Sequence, residues 1–526
     1  MIKMKEKLLV WINVDFIHFG ISRFLQEKKQ FDLYSIIDIQ DITKDFFLKQ
    51  KIVNYTKNWF YRDSVLELNN QPDINYLSEF EKKYNVNLWE IIYSEIIFFD
   101  HIRYHKFSDI EILKILEKEC KFFEKIFEEI IPDYLLVNAF SAHHTYLFCK
   151  MCEAKGVKIL MYTPTRVGYR AAITSHYDIL DIFDESVQKS SSGKMRTFEE
   201  IQNYLKQYSL VQHNKEDAQR FDTRITKSQE LSSVLRFLKF LLGNPAYRKF
   251  YGNYGKTTLN IIRREAKIRL RKRARNKFLI KNSIKNLGNQ PFVYYPLQVE
   301  PERVLSFGSP FYYNQLELLT LVAKALPLEY KLFVKEHPMM YTTEGRDIEF
   351  YKKIINLPNV YLIDTSIEPE EMLKNCSLVT TISGTAALEA AFYGKPSIIF
   401  AKTSYSFLPS VTTVKNLDEL PNAINSSLKK KVDLNSLNTF LDYIETNSFE
   451  FDSRKIESDV AKTFFYGGFI GNVEIPEQKM ISFLEIHKEE FEKLCSEHIK
   501  KINQYKNNEL DNALTKRVNT NLDHKI

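Results

Sequence analysis

Between residues 289 and 430, short apolar runs alternate with amphipathic stretches at a spacing that leaves few architectures open. Pro291 to Tyr295, Leu332 to Lys335, Val360 to Ile363, Leu378 to Ile382 and Ser397 to Phe400 each have strand length, and helical patterns such as Asn314 to Leu326 (NQLELLTLVAKAL) separate them. Uninterrupted apolar strands belong in a parallel sheet, whose two faces are both covered by crossover helices. The expected fold class is α/β, with a Rossmann-like unit whose ligands sit at the carboxyl ends of the strands.

The same rhythm runs from residue 1 to about 215. Lys7 to Asn13 and Tyr134 to Asn138 (YLLVN) read as strands. A helix follows through Tyr146, Leu147 and Met151, Gly156 closes it, and Val157 to Tyr162 (VKILMY) forms the next strand, giving a βαβ unit. A chain of 526 residues suits two cores better than one. The expected division is an N-terminal Rossmann-like domain over 1–215, a basic helical linker over 216–288, a C-terminal Rossmann-like domain over 289–475, and a charged helix with a disordered tail over 476–526. The linker carries eleven Lys or Arg and one acid, Glu265, between Arg263 and Lys285, more than the whole chain's net charge of +7. Such a block is either a solvated helix or a surface for anionic lipid or glycan; no nucleic-acid motif accompanies it.

Five cysteines, an odd number, do not make a disulfide framework, which points to a reducing, cytoplasmic setting. Cys149 and Cys152 form a C-x-x-C inside a helical stretch and read as packing. Asp15 interrupts the first apolar run, so that run is a strand and not a signal peptide. Without an apolar stretch of about 18 residues, membrane contact would be at most peripheral, on the inner face of the cytoplasmic membrane.

Three post-strand motifs carry chemistry. Ser383-Gly384-Thr385 follows the strand LVTTI and precedes a helix, where unpaired N–H groups and two hydroxyls suit a phosphate; Glu389, one turn on, suits ribose hydroxyls. Lys335-Glu336-His337-Pro338 ends the strand LFV, where a cation and an imidazole could offset a leaving nucleotide's charge, with Pro338 stopping the strand. Gln298, Glu300 and Glu302 lie in the loop after the first strand of the second domain and fit the edge of a cleft.

The order YYPLQVEPE, VKEHP, SGTAALEAAFYGKPSIIF resembles the bacterial capsule polysaccharide biosynthesis proteins, most densely over residues 289–405. Those are similar to sugar transferases of the two-Rossmann GT-B type, including enzymes that move Kdo or related sugars from CMP-activated donors. The His-Pro and Ser/Thr pairing is also similar to bacterial sialyltransferases and to the glycerophosphate polymerases of teichoic acid synthesis. The resemblance implies that His337, Ser383 and Thr385 hold the donor phosphate with Lys335, Gly384 and Glu389 close by. Where the family often shows Asp-Arg after the tryptophan segment, this chain has Ser94-Glu95.

A transferase of this kind binds the nucleotide-sugar on its second domain and a glycan or lipid-linked glycan on its first, and an inverting reaction needs a base near the acceptor hydroxyl. Asp15, His18 and His143 are candidate bases with His144 beside them, and Arg166 and Arg170 in TPTRVGYR are candidate acceptor ligands. No Asp-x-Asp pair or His/Cys cluster with ligand spacing is present, so neither a metal nor another cofactor is expected. The alternatives are a sugar-nucleotide epimerase or glycerophosphate transferase on the same scaffold, or a non-catalytic polysaccharide-assembly protein.

Overall fold

In the computed structural model, residues 5–39, 41–66, 68, 70–99, 104–138, 142–176, 179–180, 195–207, 254–255, 257–300, 307–309, 311–312, 314–342, 345–465 and 473–507 are described. They build two α/β layers, each around a largely parallel sheet with Rossmann-like topology. The first sheet contains β1 (Glu6–Ile12), β2 (Phe31–Ile37), β3 (Lys57–Phe60), β4 (Tyr134–Val137), β5 (Lys158–Pro164) and β6 (Arg170–Thr174). The second contains β7 (Phe292–Pro296), β8 (Lys331–Lys335), β9 (Val360–Ile363), β10 (Leu378–Thr381), β11 (Ser397–Ile399) and β12 (Val411–Thr413).

Strand order in the second sheet is β12-β11-β10-β7-β8-β9, and every pairing in it is parallel. That is the doubly wound order, with the winding reversing between β7 and β10. With β13 (Phe449–Glu450) at its edge, the first sheet runs β13-β6-β5-β4-β1-β2-β3 and reverses between β1 and β4, whose register sets Leu8 against Tyr134 and Val10 against Leu136. Its interior strands are apolar on both faces, as β1 shows: Leu8, Leu9, Val10, Trp11 and Ile12 are all buried. Alternate residues feed separate cores, Leu8 and Val10 on one side and Leu9 and Trp11 on the other.

Late parts of the chain return to this first sheet. β13 (Phe449–Glu450) pairs antiparallel with β6, and the core behind β1 recruits Phe464, Phe483, Phe491 and Leu494. The charged C-terminal segment, expected as one helix, forms two, Glu477–Ile486 and Lys488–Lys506. The second lies so close to the helix Ile17–Glu27 that a Cβ on Gly20 would stand 2.6 Å from the Phe491 ring. The expected disordered tail, the final dozen residues, falls outside the described residues.

The basic segment is described from residue 257, as a helix over Thr258–Asn282 capped by the Thr257 side chain. Its C-terminal half is anchored: Leu279 is buried, Arg275 is 1% exposed, and Ile284 pairs with the edge of β9 through Ile284 N–H to Leu362 O (2.8 Å). Arg263, Lys267, Arg269, Arg273, Lys277 and Lys281 remain exposed, with Ile262, Leu270 and Ile280 among them. Among the described residues no helix is long and apolar enough to cross a membrane. All five cysteines are free and buried, in keeping with packing; burial pushes the Cys376 and Cys495 thiols up to about 12.

Candidate functional site: two facing crevices

A doubly wound sheet opens a crevice beyond its strands' carboxyl ends where the winding reverses. In the second sheet that point lies between β7 and β10, and the post-strand motifs of β7, β8 and β10 gather there. Gln298, two residues past the end of β7, reaches across to the loop after β10: its Nε2 donates to Ser383 Oγ (3.2 Å), and Ser383 N–H donates to its Oε1 (3.2 Å). The Tyr405 hydroxyl donates to the carbonyls of Ser383 (3.0 Å) and Gly384 (2.7 Å), which fixes the loop. Gly384 is required by space, because a Cβ there would stand 2.7 Å from Thr381 Oγ1. Thr385 makes no capping hydrogen bond to the short helix Ala386–Phe392, so its hydroxyl is not there merely to start the helix. Burial raises the Glu389 carboxyl to about 7, with the Thr385 hydroxyl, which bonds it, acting the other way.

His337 follows β8. The Met339 N–H donates to its Nδ1 (3.2 Å), which puts the ring proton on Nε2. Burial holds its pKa down at about 4, so the neutral ring is a hydrogen-bond donor through Nε2 at ordinary pH. Glu336 anchors this corner: it accepts from Arg346 Nη1 (2.6 and 2.7 Å) and from the His337 N–H (2.6 Å). Pro338, expected to stop the strand in a loop, instead opens the helix Pro338–Thr342, where a missing N–H costs nothing. Lys335 does not reach the crevice as expected; its ammonium donates to the carbonyls of Asp364 (3.3 Å) and Thr365 (3.4 Å) beyond β9. Glu300 is likewise engaged, with Arg346 Nε at 2.9 Å and Gln315 Nε2 at 2.5 Å. Glu302 lies outside the described residues.

The first sheet's crevice, between β1 and β4, has a different lining. Asp15, just past β1, receives the Ile17 N–H (2.9 Å) and is hydrogen-bonded by the Asn138 amide from the end of β4, so this bond spans the reversal point. Enclosure by protein raises the Asp15 carboxyl to about 6, against the pull of those bonds. Glu457, from the returning C-terminal segment, is solvent-exposed yet hemmed in, and that enclosure together with Asp15's charge raises it to about 7.

The other sequence candidates are placed elsewhere. His18 is 1% exposed in the core beside His498, and burial and that neighbour depress it to about 3. His143 is buried between Glu95 (Nδ1, 2.8 Å) and Glu119 (Nε2, 3.0 Å); burial lowers its pKa, but the carboxylates outweigh it and raise it to about 10. A histidine kept protonated in this way has no lone pair for an acceptor proton. Arg170, expected to meet an acceptor, clamps β13 to β6 by donating to Ser448 Oγ (2.8 Å), Glu445 O (2.7 Å) and Ser448 O (2.7 Å). Arg166, in left-handed backbone (φ 66°), joins the two layers instead: its Nη1 donates to Ser383 O (2.8 Å), so the β5–β6 loop lies against the loop after β10.

Sequence reasoning missed Asn138, Glu457, Tyr405 and Arg346. Asn138 was legible as the residue ending YLLVN; the others depend on packing between distant segments.

Residues 199–445 match the family described as capsule polysaccharide biosynthesis protein. Over that span the chain is similar to the capsule polysaccharide biosynthesis proteins, the same family that its motif order resembles. The capsule-family match takes in all of β7 to β12 and leaves β1 to β6 outside. Among solved structures, the chain is similar to the beta Kdo 2,7 transferase of Thermosulfurimonas dismutans KpsC at 14% identity and TM-score 0.29, covering 72% of this chain and 97% of that one. It is also similar to UDP-GlcNAc 2-epimerase from Methanocaldococcus jannaschii at 12% identity and TM-score 0.22, covering 84% and 99%. Likenesses of that size carry no functional argument. A comparison with curated proteins finds no match.

Proposed function

We propose that the chain is a glycosyltransferase of capsule or cell-surface glycan synthesis, moving a sugar from a nucleotide-sugar, with CMP-activated donors the first to try, onto a glycan or lipid-linked glycan. The observation that carries this reading is the meeting of three sequence-distant motifs at the β7–β10 crevice, Gln298 bonded to Ser383 and linked through Arg346 to Glu336 beside His337, tied by Arg166 to the layer that holds Asp15. The Ser383 hydroxyl, the backbone at Gly384 and the His337 Nε2–H supply hydrogen-bond donors for the donor phosphate, with Thr385 beside them engaging Glu389. Glu389 lies where ribose hydroxyls would bind. These donors hold phosphate without paired carboxylates, so we read the transfer itself as metal-independent.

On the facing crevice, Asp15 takes the role of base. The acceptor oxygen bonds to the anomeric carbon, the bond from that carbon to the phosphate oxygen breaks with its electrons going to the nucleotide, and the acceptor proton passes to Asp15. A carboxylate raised to about 6 is still ionised at neutral pH and is a stronger base than an ordinary one.

The test is a thermal-shift screen of wild type and His337→Ala against CMP, CDP, UDP, GDP and ADP. A nucleotide at 100 times its dissociation constant should stabilise the wild type by about 2.7 kcal/mol, and the variant should lose that response. If no nucleotide stabilises the wild type, the donor site is refuted and the non-catalytic assembly role takes its place.

A further inference from the structure

Behind the β1–β4 crevice, the helix Asp109–Glu129 and the start of the helix His143–Ala154 bring a carboxylate and two imidazoles together in the protein interior. Glu119 is fully buried, and His143 and His144 are 1% and 3% exposed. One ligand-type atom from each lies within 4.8 Å of the other two. We propose that Glu119, His143 and His144 bind one divalent first-row transition-metal ion, zinc foremost, as a buried structural site joining these two helices.

Three independent features support the assignment. Glu119 Oε2 and His144 Nδ1 are buried without any hydrogen-bond partner, an arrangement that costs free energy unless something else satisfies both atoms. Each imidazole is oriented from behind by a carboxylate: Glu95 lies 2.8 Å from His143 Nδ1, and Asp38 lies 2.9 Å from His144 Nε2. This carboxylate–histidine arrangement fixes the tautomer and turns His143 Nε2 and His144 Nδ1 inward, as metal-bound imidazoles require. His143 Nε2 and Glu119 Oε1 are 3.0 Å apart, close to the separation of about 3.3 Å between two ligands on one tetrahedral zinc.

Charge agrees. Asp38, Glu95 and Glu119 bring three negative charges to this cluster and Arg62, on Asp38 at 2.6 Å, brings one positive charge. With both imidazoles neutral, a divalent ion balances the remainder; protonating His143 alone balances half of it. The metal would take the place of that proton.

The site is separate from the phosphate crevice, so its test does not depend on the transferase reading. Full-length protein, purified without chelating resin and dialysed against a chelator, would be titrated with Zn²⁺ and with Co²⁺, following bound metal by elemental analysis and the visible absorption of Co²⁺. We expect one equivalent of either ion, Glu119→Gln and His144→Gln each weakening binding at least tenfold, and Asp38→Asn weakening it by about 10- to 100-fold. Wild-type protein that takes up neither ion at one equivalent, or a Glu119→Gln/His144→Gln double variant that binds as well as wild type, overturns the assignment and leaves a protonated His143 between two carboxylates. Because the wild type is measured first, a variant that fails to fold does not shield the proposal.

Discussion

The two reversal points share a topology and differ in chemistry. At β7–β10 the bond across the crevice runs from Gln298 to Ser383, and the groups beside it include the Ser383 hydroxyl and a neutral imidazole. At β1–β4 it runs from Asn138 to Asp15, and the groups presented are carboxylates with raised proton affinity. On the function proposed above, one crevice donates hydrogen bonds to an anion and the other accepts a proton. The lesson is that a doubly wound sheet fixes where a ligand binds, while the few residues just past two neighbouring strands fix what it can be.

Asp15→Asn separates the two crevices most sharply. The variant should lose about 10²- to 10⁴-fold in transfer rate while keeping the nucleotide thermal shift of the wild type. An unchanged rate would move the base elsewhere, with Glu457 the next residue to test.

Gly384→Ala makes the opposite cut. The added methyl would lie 2.7 Å from Thr381 Oγ1, within a loop whose carbonyls Tyr405 and Arg166 already hold. Nucleotide affinity should fall at least tenfold, about 1.4 kcal/mol, by calorimetry. Full affinity would show that phosphate does not approach this backbone.

The pH dependence distinguishes the crevices without mutation. The base must be ionised, so kcat/KM should fall below pH 6, by about tenfold per unit. Stability responds in the opposite sense: Asp15 binds its proton more tightly in the folded state, so its contribution is greatest below pH 4 and is lost as pH rises through 6. An acid limb near pH 4 would assign the base to an ordinary carboxylate.

Gly20→Ala probes only the scaffold of the first crevice, driving a methyl into the Phe491 ring. It should destabilise the fold by about 1 to 3 kcal/mol in chemical denaturation and leave nucleotide binding unchanged. The smallest effect concerns the exposed basic face of the helix Thr258–Asn282, which should bind vesicles containing anionic lipid and release them as salt rises. Salt-independent binding would exclude an electrostatic surface.

Much of the second layer was legible because its strands are apolar runs with little interruption, and its site residues stand immediately after them. Gln298, His337 and Ser383 could be placed beside the crevice for that reason. Lys335 was misjudged because the end of a strand does not reveal which side its last side chain takes. The first layer was harder to read. β2 (FDLYSII) carries Asp32 and Ser35, and its coherence comes from pairing along β1 and a Ser35–Asn58 hydrogen bond (2.7 Å) that periodicity cannot show. Arg170 in TPTRVGYR looked like a ligand-binding cation because its partners, Glu445 and Ser448, are more than 270 residues away in sequence. The His143 cluster was invisible for a similar reason: adjacent histidines have no recognised ligand spacing, Glu119 comes from another helix and Glu95 from the break between two others.

The return of residues 449–505 to the first sheet imposes an order on synthesis. A ribosome emits β1 to β6 early, but part of what covers one face of that sheet, joining the N-terminal helix Ile17–Glu27, comes out nearly three hundred positions later. At about 5–20 residues per second, that face waits on the order of tens of seconds, half covered, while the second layer can form on its own schedule. The lobe begun first is therefore the lobe finished last, and a chain cut between β6 and β13 releases a half whose core lacks part of its cover.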